Sequence, residues 1–356
     1  MNSGSLTRIV SIGGGTGLAC LLKGLKNAVL DSSLIEAPQR DPWISRLTAV
    51  VTVTDDGGSS GRLREELQVL PPGDIRNCMV ALSADESLLS KLFQHRFSGS
   101  GPLGGHSFGN LFLSALTGIT GDFLTAVRVS SDVLATRGRI YPSTPDDVHL
   151  EAVLEDGTTV RGESAISNST QRIERVELSA PRCRPVPEVL DAIRAADIIT
   201  VGPGSLFTSI LPNLLVRGIT RAIRRSAAVK IFIGNLMTQP GETDGLSAAD
   251  HVSTIYRHTG PGLFDGIILS NAPIPRVQLA RYGRQGSLPV ARDHTRLRGL
   301  GLRIHEERLL ARGSVVRHDP TQLALAVRSA CSAWRTVRAD FKLRRFAAPK
   351  TAAQLR

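Results

Sequence analysis

The sequence predicts an α/β fold in which a largely parallel sheet carries helices on both faces and a small antiparallel insertion. Three observations support this prediction. Two glycine-rich loops each follow a short apolar strand pattern, strand and helix patterns alternate along most of the chain, and the apolar period changes to two between residues 148 and 180. With 41% hydrophobic residues, the 356-residue chain has ample material for a core.

The first element is a strand at Thr7–Ile12, followed by a glycine-rich loop and an apolar helix from Leu18 to Leu30. Glycines allow a tight turn and a close approach of backbone N–H groups to a ligand, and the start of a helix favours phosphate. Leu18 stands where a dinucleotide fingerprint has its third glycine, and a P-loop Lys-Ser/Thr pair is missing. A simple strand–helix turn is the alternative. The loop consists of Gly13, Gly14, Gly15, Thr16 and Gly17.

The second strand, Leu47–Val53, runs into a loop that contains Asp55, Asp56, Gly58 and Ser59. Two adjacent carboxylates cannot both point the same way from an extended strand end. One could accept hydrogen bonds from ligand hydroxyls or hold a metal, while the other caps a helix that begins near residue 61. A turn with a helix cap and no ligand is the alternative.

The middle of the chain predicts a polar connection followed by helices and then a small sheet. Residues 31–46 form the connection, and Asp74 is placed to cap a helix that ends near residue 82. Period-two patterns and a turn predict the antiparallel insertion. The remaining elements are helices at 62–67, 87–97 and 108–116, and strands at 148–154, 159–161 and 173–178.

Strand–helix alternation resumes after the insertion, and a long amphipathic helix at 321–337 closes the fold. Three of these later strands end in glycine- or proline-rich loops. Because the carboxyl ends of parallel strands meet at one edge, we expect all five such loops to converge on a nucleotide-type pocket. The strands are 198–201, 229–233, 264–269 and 302–304, and the loops are 202–205, 234–245 and 270–275.

Composition predicts a soluble cytoplasmic protein. No run of about 18 apolar residues indicates a membrane span, and no charged-then-apolar leader precedes the first strand. The four cysteines lie far apart and form no CxxC pair, which argues against a zinc site and for reduced thiols.

The net charge of +11 is concentrated near the C-terminus, where residues 276–356 carry 18 Lys and Arg against 5 Asp and Glu. Such a basic end could attract nucleic acid, an anionic membrane or a phosphorylated ligand. A solvated face plus a disordered tail is the alternative. Aromatic residues make up only 4% of the chain, which weakens a nucleic-acid interpretation. We predict one domain over residues 1–340 and a basic, disordered tail over 341–356.

The motifs together resemble the YvcK family of gluconeogenesis factors, which is related to the 2-phospho-L-lactate transferases. The resemblance covers most of the chain and ends near Val316–Asp319; the connection at 31–46 and the tail lie outside it. The motifs are Gly13-Gly-Gly-Thr-Gly-Leu18, Thr54-Asp-Asp-Gly-Gly-Ser-Ser-Gly-Arg-Leu-Arg64, Pro72-Gly-Asp-Ile-Arg-Asn77, Gly105-His-Ser-Phe-Gly-Asn-Leu111, Val201-Gly-Pro-Gly-Ser-Leu-Phe-Thr-Ser-Ile-Leu-Pro212 and Asn235-Leu-Met-Thr-Gln-Pro-Gly-Glu-Thr-Asp-Gly245.

The resemblance implies a Rossmann-like fold that binds a nucleotide-sugar, UDP-N-acetylglucosamine. It implies a cytoplasmic regulator, needed for cell shape during gluconeogenic growth, that requires no cofactor and has no assigned catalytic residues. The transferase relatives instead join a phospholactate group to a deazaflavin in coenzyme F420 synthesis and use a divalent metal. A nicotinamide oxidoreductase fits the fold but not the glycine spacing.

The resemblance also assigns roles to individual residues. The first loop would cradle the diphosphate, and Arg76 and Arg317 would pair with phosphates, with a surface salt bridge as the alternative for Arg76. The spacing itself places Asn110 one turn from His106 on the same face, as a polar wall of the pocket; a capping Ser107 with a satisfied His106 is the alternative. We expect unidentified protein partners from cell-wall or carbon metabolism and no nucleic acid, with monomer and homodimer both open. The predicted ligand residues are Gly13, Gly14, Gly15, Thr16, Gly17, Asp55, Asp56, Gly58, Ser59, Asn77, His106, Ser107, Asn110, Gly204, Ser205, Asn235 and Arg317.

Overall fold

The computed structural model describes residues 6–30, 42–84 and 88–346, with side chains described as far as residue 334. Residues 31–41 of the predicted connection and residues 347–356 of the predicted tail therefore lie outside the described residues. No helix in the described ranges is long and apolar enough to cross a membrane.

The strands form two separate sheets. β1, β2, β3, β7, β8, β9 and β10 make a seven-stranded sheet in the order β10-β9-β8-β7-β1-β2-β3, with every pair parallel, and β4, β5 and β6 make a small antiparallel sheet in the order β5-β4-β6. The fold prediction is confirmed. The strands are β1 (Thr7–Gly13), β2 (Ile44–Val51), β3 (Arg139–Pro142), β4 (Leu150–Leu154), β5 (Thr159–Arg161), β6 (Ile173–Leu178), β7 (Ile198–Val201), β8 (Val229–Ile233), β9 (Gly266–Ser270) and β10 (Arg303–Glu307).

The helices cover the parallel sheet. They are α1 (Gly15–Leu25), α2 (Gly58–Leu67), α3 (Gly73–Leu82), α4 (Leu88–Gln94), α5 (Phe108–Thr120), α6 (Phe123–Val133), α7 (Glu163–Ser167), α8 (Pro187–Ala195), α9 (Leu211–Leu215), α10 (Ile219–Arg225), α11 (Ala248–Thr259), α12 (Arg276–Gly283), α13 (His294–Gly299) and α14 (Pro320–Phe346). A 3-10 turn follows α1 at Lys26–Ala28, and a π-helical turn precedes α9 at Leu206–Ile210.

The centre of the sheet is strand β1, which pairs with β2 on one side and with β7 on the other. Ile9 lies opposite both Leu47 and Ile198, and the apolar side chains of these strands are buried on both faces. The chain builds one half of the sheet outward from β1 and the other half outward from β7. A crevice therefore opens between the carboxyl ends of β1 and β7.

Helix α1 packs closely against α14, and a glycine makes this possible. A Cβ added at Gly24 would lie 1.9 Å from the carbonyl oxygen of Pro320. The apolar residues of α1 fill the space between α14 and the sheet, with Leu18, Leu21, Leu22 and Leu25 fully buried. Hydrophobic spacing alone accounts for this helix.

One contact between the antiparallel insertion and the main body is a hydrogen bond to α11. The backbone N–H of Val176 in β6 donates to His258 Nε2 at 3.0 Å, and the other ring nitrogen lies 2.8 Å from the carbonyl oxygen of Thr254. Burial lowers the pKa of His258, which favours the neutral ring that can accept this bond.

Several predicted boundaries differ from the structure. The helix predicted from Arg62 begins at Gly58, because Gly58 adopts a φ of +49° and starts the turn earlier. The helix predicted at 87–97 ends at Gln94, and strand β3 was not predicted. The backbone at 341–346, which the prediction assigned to the tail, continues α14.

Candidate functional site

The first glycine loop and the loop after β7 meet at the crevice. A Cβ added at Gly17 would lie 2.4 Å from the carbonyl oxygen of Pro203, and one added at Gly204 would lie 3.4 Å from that of Gly14. Gly15 has a φ of +61°, which side-chain-bearing residues rarely adopt. Thr16 is exposed in the first turn of α1. These two loops thus form one surface at the start of a helix, where anions are favoured.

A buried carboxyl group lies beneath this loop. Asp74 accepts a hydrogen bond from the backbone N–H of Gly15, and a Cβ added at Gly14 would lie 2.5 Å from Asp74 Oδ2. Burial, followed by the charge of Asp55, raises the pKa of Asp74 to about 6. The prediction that Asp74 caps its helix is wrong: α3 begins at Gly73 without a side-chain cap, and the carboxyl group closes the glycine loop instead.

Asn77 connects this carboxyl group to a cation. Its side chain donates to Asp74, and its Oδ1 accepts from the Arg76 guanidinium at 2.7 Å. Asn77 therefore lies at the predicted site as a bridge between two charged groups.

The acidic pair of the second loop diverges. Asp55 Oδ1 accepts the N–H of Gly57 at 2.9 Å, and its other oxygen faces Gly73, whose added Cβ would lie 2.8 Å away. Asp56 accepts the N–H of Ser164 at 2.8 Å. The predicted cap on the following helix is therefore wrong, because α2 has no side-chain cap and Asp56 holds the insertion instead.

The insertion brings Glu163, another carboxyl group with a raised pKa, to this region. Burial, followed by the charges of Asp55 and Asp74, raises the pKa of Glu163 to about 9. At neutral pH Glu163 is therefore protonated and can donate a hydrogen bond.

Glu242 joins the insertion to the loop after β7. It accepts from the Ser167 hydroxyl at 2.9 Å and from the Ser205 hydroxyl, and burial raises its pKa. Ser205 also accepts the N–H of Thr208 at 3.2 Å. The predicted ligand residue Ser205 is thus a helix cap whose hydroxyl proton goes to Glu242.

On the β2 side, three predicted residues form one buried network. Ser59 Oγ lies 3.0 Å from His106 Nδ1 and accepts from Asn110 Nδ2 at 3.1 Å. Ser107 caps α5 by accepting the Asn110 N–H at 3.3 Å. Burial, followed by the charge of Arg62, lowers the pKa of His106. His106 and Asn110 both reach Ser59, although His106 precedes α5, which begins at Phe108 after the Ser107 cap, so the two residues do not share a helix face.

Three arginines surround this network. Arg62 donates to the carbonyl oxygen of Gly104 at 2.7 Å, and Arg96 donates to that of Gly105. Burial, followed by the charge of Arg96, lowers the pKa of Arg76. The buried Arg76 Nε and Asn110 Oδ1 have no hydrogen-bond partner among the described residues. This side of the site therefore combines positive charge with unused hydrogen-bonding capacity, which suits a polar anionic ligand.

On the β8 side, Asn235 holds the backbone of Gly204. Its Nδ2 donates to the Gly204 carbonyl oxygen at 2.8 Å, and its Oδ1 accepts the Gly204 N–H at 3.3 Å. Asn235 also lines a mostly apolar cavity of about 220 Å³, a size and character that suit a flat ring. The other lining residues include Leu236, Leu269, Ser270, Pro273, Pro289, Val290, Arg292 and Leu310.

One cavity and one predicted ligand residue lie away from the carboxyl edge of the parallel sheet. A larger cavity of about 1160 Å³ opens at the amino ends of β2 and β3 and contains none of the predicted ligand residues. Burial raises the pKa of Cys20 to about 11, and the charge of Arg317 opposes this rise. Arg317 itself is exposed. Arg317 thus lies near the middle of α1, and no described contact joins it to the other predicted residues.

Sequence reasoning missed three carboxyl groups. Asp74 and Glu242 lie inside motifs that the sequence analysis singled out; Asp74 was assigned to a helix cap, and Glu242 lies in the loop 234–245 that was predicted to reach the pocket but was given no role of its own. Glu163 is a single acidic residue in the insertion, and no local pattern distinguishes it. Its proximity to Asp55 and Asp74 is a consequence of how the insertion docks.

Comparison with known proteins identifies the family of this chain. The family model described as "2-phospho-L-lactate transferase CofD" matches residues 9–310. The gluconeogenesis factor of Halalkalibacterium halodurans is 46% identical over 320 residues, which cover 90% of this chain and 95% of that protein. The gluconeogenesis factor of Bacillus subtilis is 46% identical over 322 residues, which cover 90% of this chain and 97% of that protein.

Solved structures agree with the sequence comparison. A crystal structure of a Bacillus halodurans protein superposes with a TM-score of 0.85 at 45% identity, over 91% of this chain and 99% of that one. A second crystal structure, titled as a member of the UPF0052 family from the same organism, gives a TM-score of 0.84 over the same shares. The chain therefore belongs to the CofD family and, within it, to the gluconeogenesis factors of the YvcK family.

Proposed function

We propose that this protein binds a nucleotide-sugar, UDP-N-acetylglucosamine, at the crevice between β1 and β7 and acts as a regulator. The observation that carries this proposal is the meeting of the first glycine loop with the loop after β7, beside a ring-sized apolar cavity. Open α/β sheets bind nucleotides at this kind of switch point. The names of the relatives support a role in gluconeogenesis, and the proposed regulator acts on cell shape during gluconeogenic growth.

The order of the strands suggests how the ligand lies. The cavity beside Asn235 is at the β8 side and takes the base. The diphosphate lies over the first turn of α1, near Gly15 and Thr16, where the helix dipole favours it. The sugar then extends toward the β2 side, where Asp55 and Asn110 supply acceptors for its hydroxyl groups.

A regulator must bind its ligand differently in two states. The insertion offers the second element, since Asp56 connects it to the loop after β2 and Glu242 connects it to the loop after β7. Ligand binding would change these contacts and so the surface that the insertion presents to a protein of cell-wall or carbon metabolism in the cytoplasm.

A 2-phospho-L-lactate transferase is the second candidate, favoured by the description of the matching family model. That activity implies a divalent metal. Among the described residues, no group of three or more His, Cys, Asp or Glu side chains is placed to hold a metal ion. Asp56 accepts from Ser164 and Asp74 from Gly15. Because these carboxylate oxygens already accept backbone N–H groups, the residues present do not fit a metal site.

Isothermal titration of the purified protein tests the proposal, with UDP-N-acetylglucosamine as ligand and UDP, NAD and GDP plus magnesium as comparators. We expect UDP-N-acetylglucosamine to bind more tightly than UDP, because the sugar adds contacts at Asp55 and Asn110. Binding of GDP only with magnesium, and no uptake of the UDP-sugar, would favour the transferase.

A further inference from the structure

Helix α12 and the loop at residues 311–317 together carry a concentration of positive charge. Residues 271–292 and 308–318 contain seven arginines and no lysine, aspartate or glutamate. On α12 and at its C-terminal cap, Arg276, Ala280 and Arg284 follow each other at intervals of four residues, and all three are exposed. One face of this helix is therefore basic and open to solvent.

Side chains of α12 hold this loop in place. Gln278 Nε2 donates to the carbonyl oxygen of Gly313 at 2.7 Å, and the Tyr282 hydroxyl accepts the N–H of Val316 at 3.1 Å. Because these bonds fix the loop against the helix, the exposed side chains of the two elements form one surface. We call it the arginine face; it consists of Arg276, Val277, Arg284, Arg312 and Val315, all of them exposed.

The charges of the arginine face are not neutralised within the described chain. The guanidinium groups of Arg276, Arg284 and Arg312 have no hydrogen bond or ion pair with any other described residue. By contrast, Arg292 in the same stretch pairs with Glu306 at 3.2 Å. Like charges that lie close together without a counter-charge repel each other, so a partner that neutralises them is favoured.

Two valines lie among these arginines. Val277 is 83% exposed and Val315 is 48% exposed. Apolar side chains beside arginines are typical of protein interfaces, in which arginine is enriched and lysine is depleted. The face contains no aromatic platform for nucleic-acid bases. A helix that lies on a membrane carries a wide apolar face, whereas the exposed large apolar residue of α12 is Val277. The composition therefore favours a protein partner.

We propose that the arginine face is the docking site for an acidic segment of a partner protein, which supplies a row of carboxylates with apolar side chains between them. A guanidinium group binds a carboxylate through two parallel hydrogen bonds. Arg276 and Arg284 are about 12 Å apart along the helix axis, at 1.5 Å per residue. Separate carboxylates match this spacing, whereas a single phosphate group reaches only one of the two arginines.

The docking site adjoins the candidate ligand site. Leu279 of α12 and Leu310, just before the loop, both line the ring-sized cavity beside Asn235. A partner on the arginine face therefore contacts the same two elements as the proposed base. Docking itself does not depend on the proposed function, and only the link between docking and ligand rests on it.

Fluorescence anisotropy with the full-length protein tests the docking site. The probe is a labelled peptide of about 12 residues built from Glu-Glu-Leu repeats, which is long enough to span the face when extended. A peptide of Gln-Gln-Leu repeats is its uncharged counterpart. We expect the acidic peptide to bind at low salt and the uncharged peptide not to bind. Arg276→Glu combined with Arg284→Glu should weaken binding at least about tenfold. No nucleotide is present, so the result is independent of whether the proposed ligand binds.

The matched control reverses the same number of charges elsewhere. Arg221 and Arg225 are exposed on α10, which leads into the amino end of β8, whereas α12 follows the carboxyl end of β9. Arg221→Glu combined with Arg225→Glu gives the same net charge as the α12 variant and should bind within about twofold of the wild type. Val277→Ser should weaken binding by about two- to threefold, because an apolar contact is lost.

Circular dichroism of each variant checks that it is folded. Arg276→Gln combined with Arg284→Gln removes the two charges without reversing them, and it replaces the Glu variant if that variant does not fold. It should weaken binding by about threefold or more.

Three results would overturn the proposal. Equal weakening by the α10 and α12 variants would show that only the net charge matters. No binding of the acidic peptide at about 100 µM protein and low salt would exclude an acidic segment as the occupant. Tighter binding to phosphatidylglycerol vesicles or to a DNA duplex of about 20 base pairs, lost in the α12 variant, would assign the face to a membrane or to nucleic acid instead.

Discussion

Helices α1 and α5 both begin at the candidate site, yet they bury opposite kinds of face. α1 buries Leu18, Leu21, Leu22 and Leu25 and exposes Thr16 and Lys23. α5 buries a glycine, an asparagine, a serine and a single leucine, while its two phenylalanines are half-buried and Ile119 is exposed. The first helix is positioned by hydrophobic packing, whereas the second is positioned by hydrogen bonds that the site requires. An apolar pattern therefore identifies a helix but does not say which face is inside.

The largest expected effect is on the core of α1. Leu22→Ala should lower the free energy of unfolding by about 3 kcal/mol, because it removes a fully buried side chain. Phe112→Ala on the outer face of α5 should cost about 1 kcal/mol, since that ring is only half-buried. Urea denaturation of both variants, at a concentration where the chain is monomeric, measures the difference. Equal losses would contradict the contrast between the two helices.

A second effect concerns the carboxyl groups beneath the first turn of α1. The pKa of Glu163 is raised to about 9 in the folded state, so the folded protein holds a proton that the unfolded chain releases above about pH 4.3. The stabilising effect of that proton is complete below pH 4.3 and is lost progressively as pH rises to 9. Relative to the wild type, Glu163→Gln should therefore be more stabilising at pH 8 than at pH 5, because it removes a carboxyl group whose proton the unfolded chain releases between these pH values.

Urea unfolding at both pH values measures this effect. Glu177→Gln, at an exposed position of β6, is the matched control and should leave the pH profile unchanged. The same pH dependence in wild type and Glu163→Gln would show that Glu163 is not the group responsible.

The third effect distinguishes the structural role of Asn110, on the buried face of α5, from its proposed role in ligand binding. Asn110→Ala should destabilise the protein by about 1.5 kcal/mol, because Ser59 loses a buried donor. It should also weaken UDP-N-acetylglucosamine binding in titration if Asn110 Oδ1 accepts from the ligand. An unchanged affinity would remove Asn110 from the proposed sugar contacts while leaving its structural role intact.

The smallest effect is at Ser114, one turn further along α5. Its hydroxyl is buried without a hydrogen-bond partner among the described residues. Ser114→Ala should therefore be neutral or stabilising by up to about 1 kcal/mol, because an unpaired polar group is removed. A clear loss of stability in thermal unfolding would show that the hydroxyl has a partner, such as bound water.

The success of sequence analysis differs between parts of the site. Glycine runs after apolar strands predicted the loop at Gly13–Gly17 and its meeting with Gly204, since parallel strands end at one edge. Ser59, His106 and Asn110 were predicted as ligand residues, but their mutual hydrogen bonds depend on α2 and α5 packing together. Strand β3 was missed, since its four residues begin with an arginine and end with a proline and so give neither an apolar run nor an alternating pattern.

The sequence by itself determined the alternation of strands and helices, the insertion and the loops that carry the site, because each depends on residues close together in the chain. Only the tertiary structure decided which face of α5 is buried, that Asp56 holds the insertion, and that Asp74 and Glu163 share one buried region. Those outcomes depend on side chains far apart in sequence. Their charges and hydrogen bonds act only after the sheet has brought the loops together.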